Sequence, residues 1–131
     1  MLEIKNVHKT FNKGTINEKK ALNGVNLHLD PGDFVTIIGG NGAGKSTTLN
    51  MVAGVYPIDQ GTIILDGKDI SDLPEYKRAY MLGRVFQDPM MGTAAGMQIE
   101  ENMAMANRRG KKRGLSSVSY THLTLPTILR V

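Results

Sequence analysis

The chain contains no cysteine and no tryptophan, and aromatic residues account for only 5% of its 131 residues. Without cysteine it can form neither a disulfide framework nor a thiolate metal site. No apolar run approaches the length of a membrane-spanning helix, so the sequence predicts no membrane span of its own. The N-terminal stretch M-L-E-I-K-N has no charged leader followed by an apolar segment, which argues against a signal peptide.

An excess of charge of one sign is also absent outside a single basic cluster. The formal net charge is +4, and five basic residues stand together at Arg108, Arg109, Lys111, Lys112 and Arg113. Elsewhere acidic and basic residues are close to balanced. The excess is therefore local, and no nucleic-acid partner is expected. The length allows one small domain, and 40% hydrophobic with 21% charged residues is ordinary for a soluble globular protein.

One stretch carries a specific chemical signal. Residues 39–47 have the sequence G-G-N-G-A-G-K-S-T, which fits the phosphate-loop pattern G-x-x-x-x-G-K-[ST]. Its fixed places are occupied by Gly39, Gly44, Lys45 and Ser46. The alternative is a glycine-rich loop that binds no ligand. That alternative gives no reason for the motif to be preceded by a strand signal and followed by a helix signal.

Both flanks of the loop carry those signals. The preceding run F-V-T-I-I, Phe34 to Ile38, is apolar and β-branched and predicts a buried strand. The following run S-T-T-L-N-M-V-A predicts a helix that ends at Gly54, with Pro57 shortly beyond it. A strand, a glycine-rich loop and a helix in this order predict a nucleotide phosphate site.

Each residue type of the loop suits a phosphate chain. Glycines allow backbone amides to turn inward and approach closely, and the start of the following helix favours an anion. Lys45 can reach the β- and γ-phosphates, the Ser46 hydroxyl is placed to ligate Mg²⁺, and Thr47 can hydrogen-bond an α-phosphate oxygen. The remaining predicted contact residues are Gly39, Gly40, Asn41, Gly42, Ala43 and Gly44.

Alternating apolar and polar residues predict strands ahead of the loop. Leu2 and Ile4 mark the first strand, and a second has Val25, Leu27 and Leu29 on one face. These two strands suggest an antiparallel sheet layered on the nucleotide core. The elements predicted after the loop are a strand at Gly61–Leu65, a tight turn at Asp66-Gly67 and a short helix capped by Ser71 or Asp72. They are followed by a run at Gly83–Pro89, predicted as a strand that passes into a loop at Gln87, and by a helix from Ile99.

Taken in order, these features resemble the N-terminal part of the ATP-binding subunit of an ABC transporter, from Met1 to about Leu115. The phosphate loop alone is shared by many nucleotidases, whereas the ordered set is more specific. After an aromatic on the first loop and the phosphate loop, the set continues with a D-G-x-D/E-I hairpin, V-F-Q and I-E-E-N. In this chain these lie at Asp66–Ile70, Val85–Gln87 and Ile99–Asn102. The most similar class is that of importer-type subunits.

The resemblance implies roles for two residues outside the loop. Phe11 resembles the aromatic that stacks on adenine, an interaction worth roughly 1–3 kcal/mol; a core or hairpin aromatic is the alternative. Gln87 resembles the Q-loop glutamine, whose side-chain oxygen reaches Mg²⁺ and the attacking water; a surface glutamine at a strand end is the alternative. Lys45 and Gln87 would then be the catalytic residues, and Ser46 and Gln87 the metal ligands, around bound ATP and Mg²⁺.

The resemblance also implies partners and a location. In the full-length protein, ATP hydrolysis would energise transport through a separate membrane permease subunit. A second ATP-binding subunit would be needed, because in this family the signature of one subunit closes the phosphate site of the other. The protein would be cytoplasmic and peripheral at the inner face of the cell membrane, held there by the permease.

Two alternatives to this function stay open at the level of sequence. One is a soluble ABC ATPase of repair or translation, which would lack a coupling contact with a membrane subunit. The other is a different P-loop enzyme, such as a GTPase or a small-molecule kinase. The chain contains no guanine-reading N-K-x-D motif, which argues against a GTPase.

The fold expected is α/β, with a P-loop NTPase core and an N-terminal antiparallel β subdomain, truncated at the start of the helical subdomain. After Gln87 the sequence contains no L-S-G-G-Q signature and no apolar strand ending in Asp-Glu, so the catalytic glutamate is missing. Phosphoryl transfer depends on such positioning groups, and the 131-residue chain is therefore expected to be inactive as an ATPase.

The composition changes abruptly near Ser116. The segment Val118–Thr127 resembles the translation of a sequencing adaptor; a natural β-rich C-terminus is the alternative. We accordingly assign residues 1–115 to a partial ABC-type ATP-binding domain and residues 116–131 to a non-native tail.

Overall fold

The computed structural model describes residues 1–109, which belong to two compact units. The first unit is Met1–Arg78, and the second begins at Ala79. Each unit is described by itself below. The predicted non-native tail, residues 116–131, lies outside the described residues, as does the C-terminal part of the basic cluster.

An antiparallel sheet of four strands forms the frame of the first unit. The strands are β1 (Leu2–Phe11), β2 (Lys19–Leu29), β3 (Gln60–Leu65) and β4 (Lys68–Asp69). Their spatial order is β2-β1-β3-β4, so β1 lies between β2 and β3. Leu2 is opposite Leu29 on one side and Leu65 on the other. The predicted antiparallel β subdomain is thereby confirmed.

The alternation in the sequence matches the two faces of the sheet. Val25, Leu27 and Leu29 are half-buried in β2, whereas the intervening side chains are exposed. The buried apolar residues come from all three long strands and from two neighbouring segments; they are Ile4, Val7, Leu22, Met51, Ile63, Leu65 and Ile70. This small core covers one face of the sheet.

The β3–β4 connection is the tight turn that Asp66-Gly67 predicts. Asp66 has φ +48° and Gly67 has φ +77°. A two-residue hairpin turn with both central φ values positive matches the right-handed twist of its strands, and Asp-Gly is a preferred pair for it. The Asp66 carboxylate also accepts a hydrogen bond from the N-terminal ammonium at 2.6 Å. Local sequence chemistry therefore fixes this end of the sheet.

Two helices complete the first unit, α1 (Lys45–Ala53) and α2 (Glu75–Arg78). Helix α1 ends at Gly54, as predicted, with the glycine at φ +86° and its amide donating to the Met51 carbonyl at 3.1 Å. Helix α2 starts later than predicted, because the Ser71 hydroxyl is engaged elsewhere. That oxygen accepts from the Ile63 amide and donates to Asp69, so it closes the β3–β4 hairpin instead of capping α2.

The predicted strand Phe34–Ile38 is not a strand. The segment is irregular, and Phe34 and Ile38 are 92% and 89% exposed. A parallel strand exists only through hydrogen bonds to neighbouring strands, and in the described residues no strand lies beside this one. The five residues thus have the composition of a buried strand without the sheet that such a strand needs.

The second unit also differs from the prediction at one place. The strand predicted to begin at Gly83 and to pass into a loop at Gln87 does not form: residues 83–88 are irregular, and Val85 is 81% exposed. A short 3₁₀ helix follows at Pro89–Gly92, and the Asp88 carboxylate caps it by accepting from the Met90 amide at 2.9 Å. The Asp88 cap and Pro89 therefore favour the 3₁₀ helix, and within the described residues no strand pairs with this segment.

Helix α3 (Ile99–Asn107) confirms the helix predicted from Ile99. The Gln98 amide donates to Glu101 at 2.8 Å, so a capping box fixes its start. Asn102 joins the helix to the preceding loop by accepting from the Ala94 amide at 2.8 Å. None of the helices in the described part of the chain has the length and apolar character needed to cross a bilayer.

Candidate functional site

The phosphate-loop motif lies in the first unit, directly before α1, and approaches strand β2 closely. Gly44 has φ +85°, and a Cβ there would lie 2.7 Å from Leu22 Cδ2 and 2.8 Å from the Ala21 carbonyl oxygen. Any side chain at this position would displace β2 or the loop. Gly42 also has a positive φ, +81°, at the exposed tip of the loop. Gly44 therefore meets a steric demand of this fold, and Gly42 meets a conformational one.

The start of α1 presents free backbone amides. Gly44 precedes the helix without a side chain that accepts from the first turn, and that turn contains no acidic residue. The first helical hydrogen bond is the one that the Thr48 amide donates to the Gly44 carbonyl at 2.8 Å. The amides before it have no helical partner, and with the positive end of the helix dipole they favour an anion.

Lys45 brings a cation to the same place. Its Nζ donates to the Gly39 carbonyl and to the Gly40 carbonyl, the latter at 2.7 Å. The ammonium is thus folded over the first two residues of the loop. Residues 34–58 contain no aspartate or glutamate, so no acidic residue close in sequence balances the positive charge of Lys45. Phosphate oxygens are stronger acceptors for an ammonium than these carbonyls, and the residues present fit a phosphate chain.

The hydroxyls of Ser46 and Thr47 remain available for a ligand. Ser46 is exposed and Thr47 half-exposed, and neither hydroxyl forms a hydrogen bond within the described residues. Thr48 differs, since it is buried and its hydroxyl donates to the Gly44 carbonyl at 2.9 Å. An exposed hydroxyl oxygen beside a phosphate site suits Mg²⁺, which prefers oxygen ligands from few protein groups and from substrate phosphates.

Phe11, predicted to stack on adenine, is the last residue of β1. Its ring meets Tyr56 edge-on, with centroids 5.2 Å apart and an interplanar angle of 82°. The Lys9 ammonium lies 5.4 Å from the centroid of the same ring. The ring is half-buried, so part of it remains accessible. Its role towards adenine stays a prediction, and its contact with Tyr56 shows that it also packs within the fold.

Asp59, which sequence reasoning did not single out, holds the end of β1 in place. Its carboxylate accepts from the Thr10 amide at 2.7 Å and lies 3.4 Å from Lys9 Nζ and 3.7 Å from Lys13 Nζ. The Thr10 hydrogen bond, followed by the two lysines, lowers the pKa of Asp59 although partial burial opposes the shift. The carboxylate therefore fixes the strand end that carries Phe11.

Arg78 is the second residue that the sequence did not reveal. Its side chain is 2% exposed, and the guanidinium donates to four backbone carbonyls, those of Met51, Val52, Ser71 and Leu73. Two of these belong to the last turn of α1, where a cation complements the helix dipole. Burial lowers the pKa of Arg78, while Asp72 and Asp69 oppose the shift. The helix that starts at the phosphate loop is thus secured at its other end.

Gln87, the predicted Q-loop glutamine, belongs to the second unit. It is exposed and lies in the irregular segment that precedes the Asp88 cap. The loop residues 39–47 belong to the first unit, and the predicted reach of Gln87 to Mg²⁺ stays a prediction. The structure thus brings together the glycines, Lys45, Ser46 and Thr47 as one site.

Comparison with known proteins supplies a family for this arrangement. The family model described as ABC transporter matches residues 22–127. A tyrosine transport ATP-binding protein of Clostridioides difficile is 41% identical over 111 residues, which are 85% of this chain and 44% of that relative. A spermidine/putrescine import ATP-binding protein of Haemophilus influenzae is 38% identical over 111 residues, or 27% of its length. The chain spans less than half the length of these curated relatives.

A solved structure agrees with the family match. It is an ATP-binding cassette in a dimeric, post-hydrolysis state with ADP and Pi, and it superposes with a TM-score of 0.71 at 31% identity. The alignment covers 89% of this chain and 50% of that one. The fold prediction, a P-loop NTPase core with an antiparallel β subdomain, is confirmed at this level.

Proposed function

This chain belongs to the ABC transporter family, as part of an ATP-binding domain, and we propose that its phosphate loop binds the triphosphate of ATP with Mg²⁺. The observation that carries the proposal is the joint placement of Lys45 Nζ over Gly39 and Gly40 and of uncapped amides at the start of α1. An ammonium and free amides that converge on one loop form an anion site of the size of a phosphate group.

Each residue of the loop has a part in this binding. Lys45 would exchange the two carbonyls for phosphate oxygens, and the glycines would let the backbone approach the chain. Ser46 would hold Mg²⁺, which when bound neutralises phosphate charge. Thr47 would donate to an α-phosphate oxygen, and Phe11 would support the adenine. Gln87 would orient water at the metal, and this last role depends on the second unit.

The transport function is proposed for the full-length protein. We infer that ATP hydrolysis there energises an importer-like transporter through a separate membrane permease and a second ATP-binding subunit. Support comes from the relatives, one named for tyrosine transport and one for spermidine/putrescine import. The solved cassette is described as a dimer. Such a protein would work in the cytoplasm, at the inner face of the membrane that holds the permease.

The family match weighs against the alternative of a GTPase or small-molecule kinase, because the match extends well beyond the phosphate loop, over residues 22–127. The alternative of a soluble ABC ATPase is disfavoured by the transport names of the relatives. The assignment of residues 1–115 to a partial domain and of residues 116–131 to a non-native tail remains part of the proposal.

The test compares the 131-residue chain with its Lys45→Ala variant. Calorimetry with Mg·ATP should show binding by the wild type and at least tenfold weaker binding by the variant. The reason is that loss of a close charge pair costs about 1.4 kcal/mol, which raises the dissociation constant tenfold. Lys68→Ala in the β3–β4 hairpin, remote in sequence from the loop, is the charge-matched control and should bind as the wild type does. Equal binding by wild type and Lys45→Ala would refute the proposed site.

The same samples test the expected lack of turnover. Phosphate release should stay at background in both proteins, because the sequence after Gln87 contains neither a signature motif nor a catalytic glutamate. Turnover that depends on ATP and disappears in Lys45→Ala would show that the chain contains a general base that we have not identified.

A further inference from the structure

We propose that Lys19 is a further residue of the nucleotide site and that its ammonium pairs with the phosphate chain on the side nearer the base. The inference rests on the proposed ATP site and adds a charge that the phosphate-loop motif does not contain. Three observations support it: the position of the side chain, the absence of a competing partner, and the register between β1 and β2.

The position comes from the loop tip. Lys19 is the first residue of β2, and its Nζ lies 3.5 Å from where a Cβ on Gly42 would be. Gly42 is an exposed residue at the centre of the phosphate-loop motif. The lysine side chain therefore extends from the sheet to the loop and places its ammonium at the loop tip. Lys45 supplies a second ammonium at the start of the same loop, on Gly39 and Gly40.

The charge of Lys19 is uncompensated within the described residues. No hydrogen bond or ion pair involves its ammonium there. Its sequence neighbour Glu18 is engaged with its own loop, since the Glu18 carboxylate accepts from the Gly14 amide at 2.9 Å. Lys9 and Lys13 differ from Lys19 because both lie within 4 Å of Asp59. An unpaired ammonium beside the phosphate loop attracts an anion.

The register indicates which part of the nucleotide is contacted. Phe11 and Lys19 are paired across β1 and β2. A nucleotide with its base at Phe11 and its terminal phosphates at Lys45 has to extend past the Lys19 ammonium between them. Lys19 would therefore contact phosphates that ATP and ADP share, whereas Lys45 reaches towards the γ-phosphate. The expected effect of Lys19 is thus similar for the two nucleotides.

The experiment measures Mg·ATP and Mg·ADP affinities by calorimetry for Lys19→Gln, Lys19→Arg and Lys20→Gln. Lys20 is the matched control, because it is also exposed and is adjacent in sequence, and successive strand residues point to opposite faces. An exposed charge pair predicts that Lys19→Gln weakens the binding of both nucleotides about three- to fivefold. Lys19→Arg should bind within about twofold of the wild type, and so should Lys20→Gln. The Lys19→Gln defect should shrink as salt is raised.

Each other outcome has a definite meaning. Unchanged binding by Lys19→Gln, beside weak binding by Lys45→Ala, would overturn the role of Lys19 and leave the ATP site intact. An equal loss of affinity in Lys20→Gln would show that the effect comes from net charge alone, and it would overturn the proposed contact between Lys19 and the phosphates. A loss for ATP alone would place Lys19 at the γ-phosphate and overturn the assignment to the base side. A wild-type chain that binds neither nucleotide would overturn the ATP site and this inference together.

Discussion

Replacement of Arg78 by methionine should strongly destabilise the first unit. Methionine has a similar length and fills much of the same volume, but it offers no donor to the carbonyls that the guanidinium satisfies. Those carbonyls belong to Met51 and Val52 at the end of α1 and to Ser71 and Leu73 before α2. The substitution therefore releases two segments from one another without opening a large cavity.

The magnitude follows from the contacts. The donor–acceptor distances are 2.7 Å to Leu73 and Met51, 2.9 Å to Ser71 and 3.1 Å to Val52, within the range of strong charge-assisted bonds or close to it. A buried acceptor that loses its donor costs about 1–3 kcal/mol, and four carbonyls lose one here: the hydrogen bond to Met51 is buried and the other three are partly buried. A small domain has a total stability of about 5–15 kcal/mol, so the loss is a large fraction of it.

The assay is urea unfolding of the 131-residue chain, followed by far-ultraviolet circular dichroism. Lys77→Met is the matched control, because Lys77 is the exposed neighbour of Arg78 on α2 and the same charge is lost. The control should lie within about 0.5 kcal/mol of the wild type. A loss below about 1 kcal/mol in Arg78→Met would refute the reasoning, since it would mean that water replaces the guanidinium at all four carbonyls.

Two further predictions concern the end of β1. Phe11→Ala should weaken Mg·ATP more than Mg·triphosphate in calorimetry, by roughly 1–3 kcal/mol for the base, because only ATP has a ring to stack; equal losses would assign Phe11 to folding, through its contact with Tyr56. Asp59, whose folded pKa is lowered, contributes stability above its unfolded pKa that is lost as the pH falls through the folded value. In urea unfolding, wild type should therefore lose more stability than Asp59→Asn between about pH 5 and about pH 3; equal losses would contradict this.

Features that are decided by neighbours in sequence could be predicted. The Asp66-Gly67 turn, the helix stop at Gly54 and the alternation along β2 each follow from a backbone preference or a face pattern, and the structure has them where expected. The phosphate loop belongs to this group only in part: its positive-φ glycines and the bonds of Lys45 are local, whereas the packing of Gly44 against β2 is not. Pattern alone sufficed wherever the determining contacts were local.

Features that depend on distant partners could not be read in the same way. Nothing in the pattern around Arg78 distinguishes it from a solvated basic residue on α2, yet it is buried against the end of α1, 27 residues away. Asp59 likewise acts on Thr10, 49 residues distant. Lys19 belongs to no motif in the sequence, and it lies beside the phosphate loop because β2 begins there, opposite Phe11 of β1.

The exposed segment Phe34–Ile38 shows where the determinants of the loop lie. If a parallel strand were required to shape the loop, the loop would be irregular wherever that strand is unpaired. Instead Gly44 is packed against β2, Lys45 donates to Gly39 and Gly40, and Arg78 holds the far end of α1. These restraints come from β2, from the loop itself and from α2, none of which includes Phe34–Ile38. The conformation of the phosphate loop in the first unit is therefore set by elements other than the strand that the sequence pattern places before it.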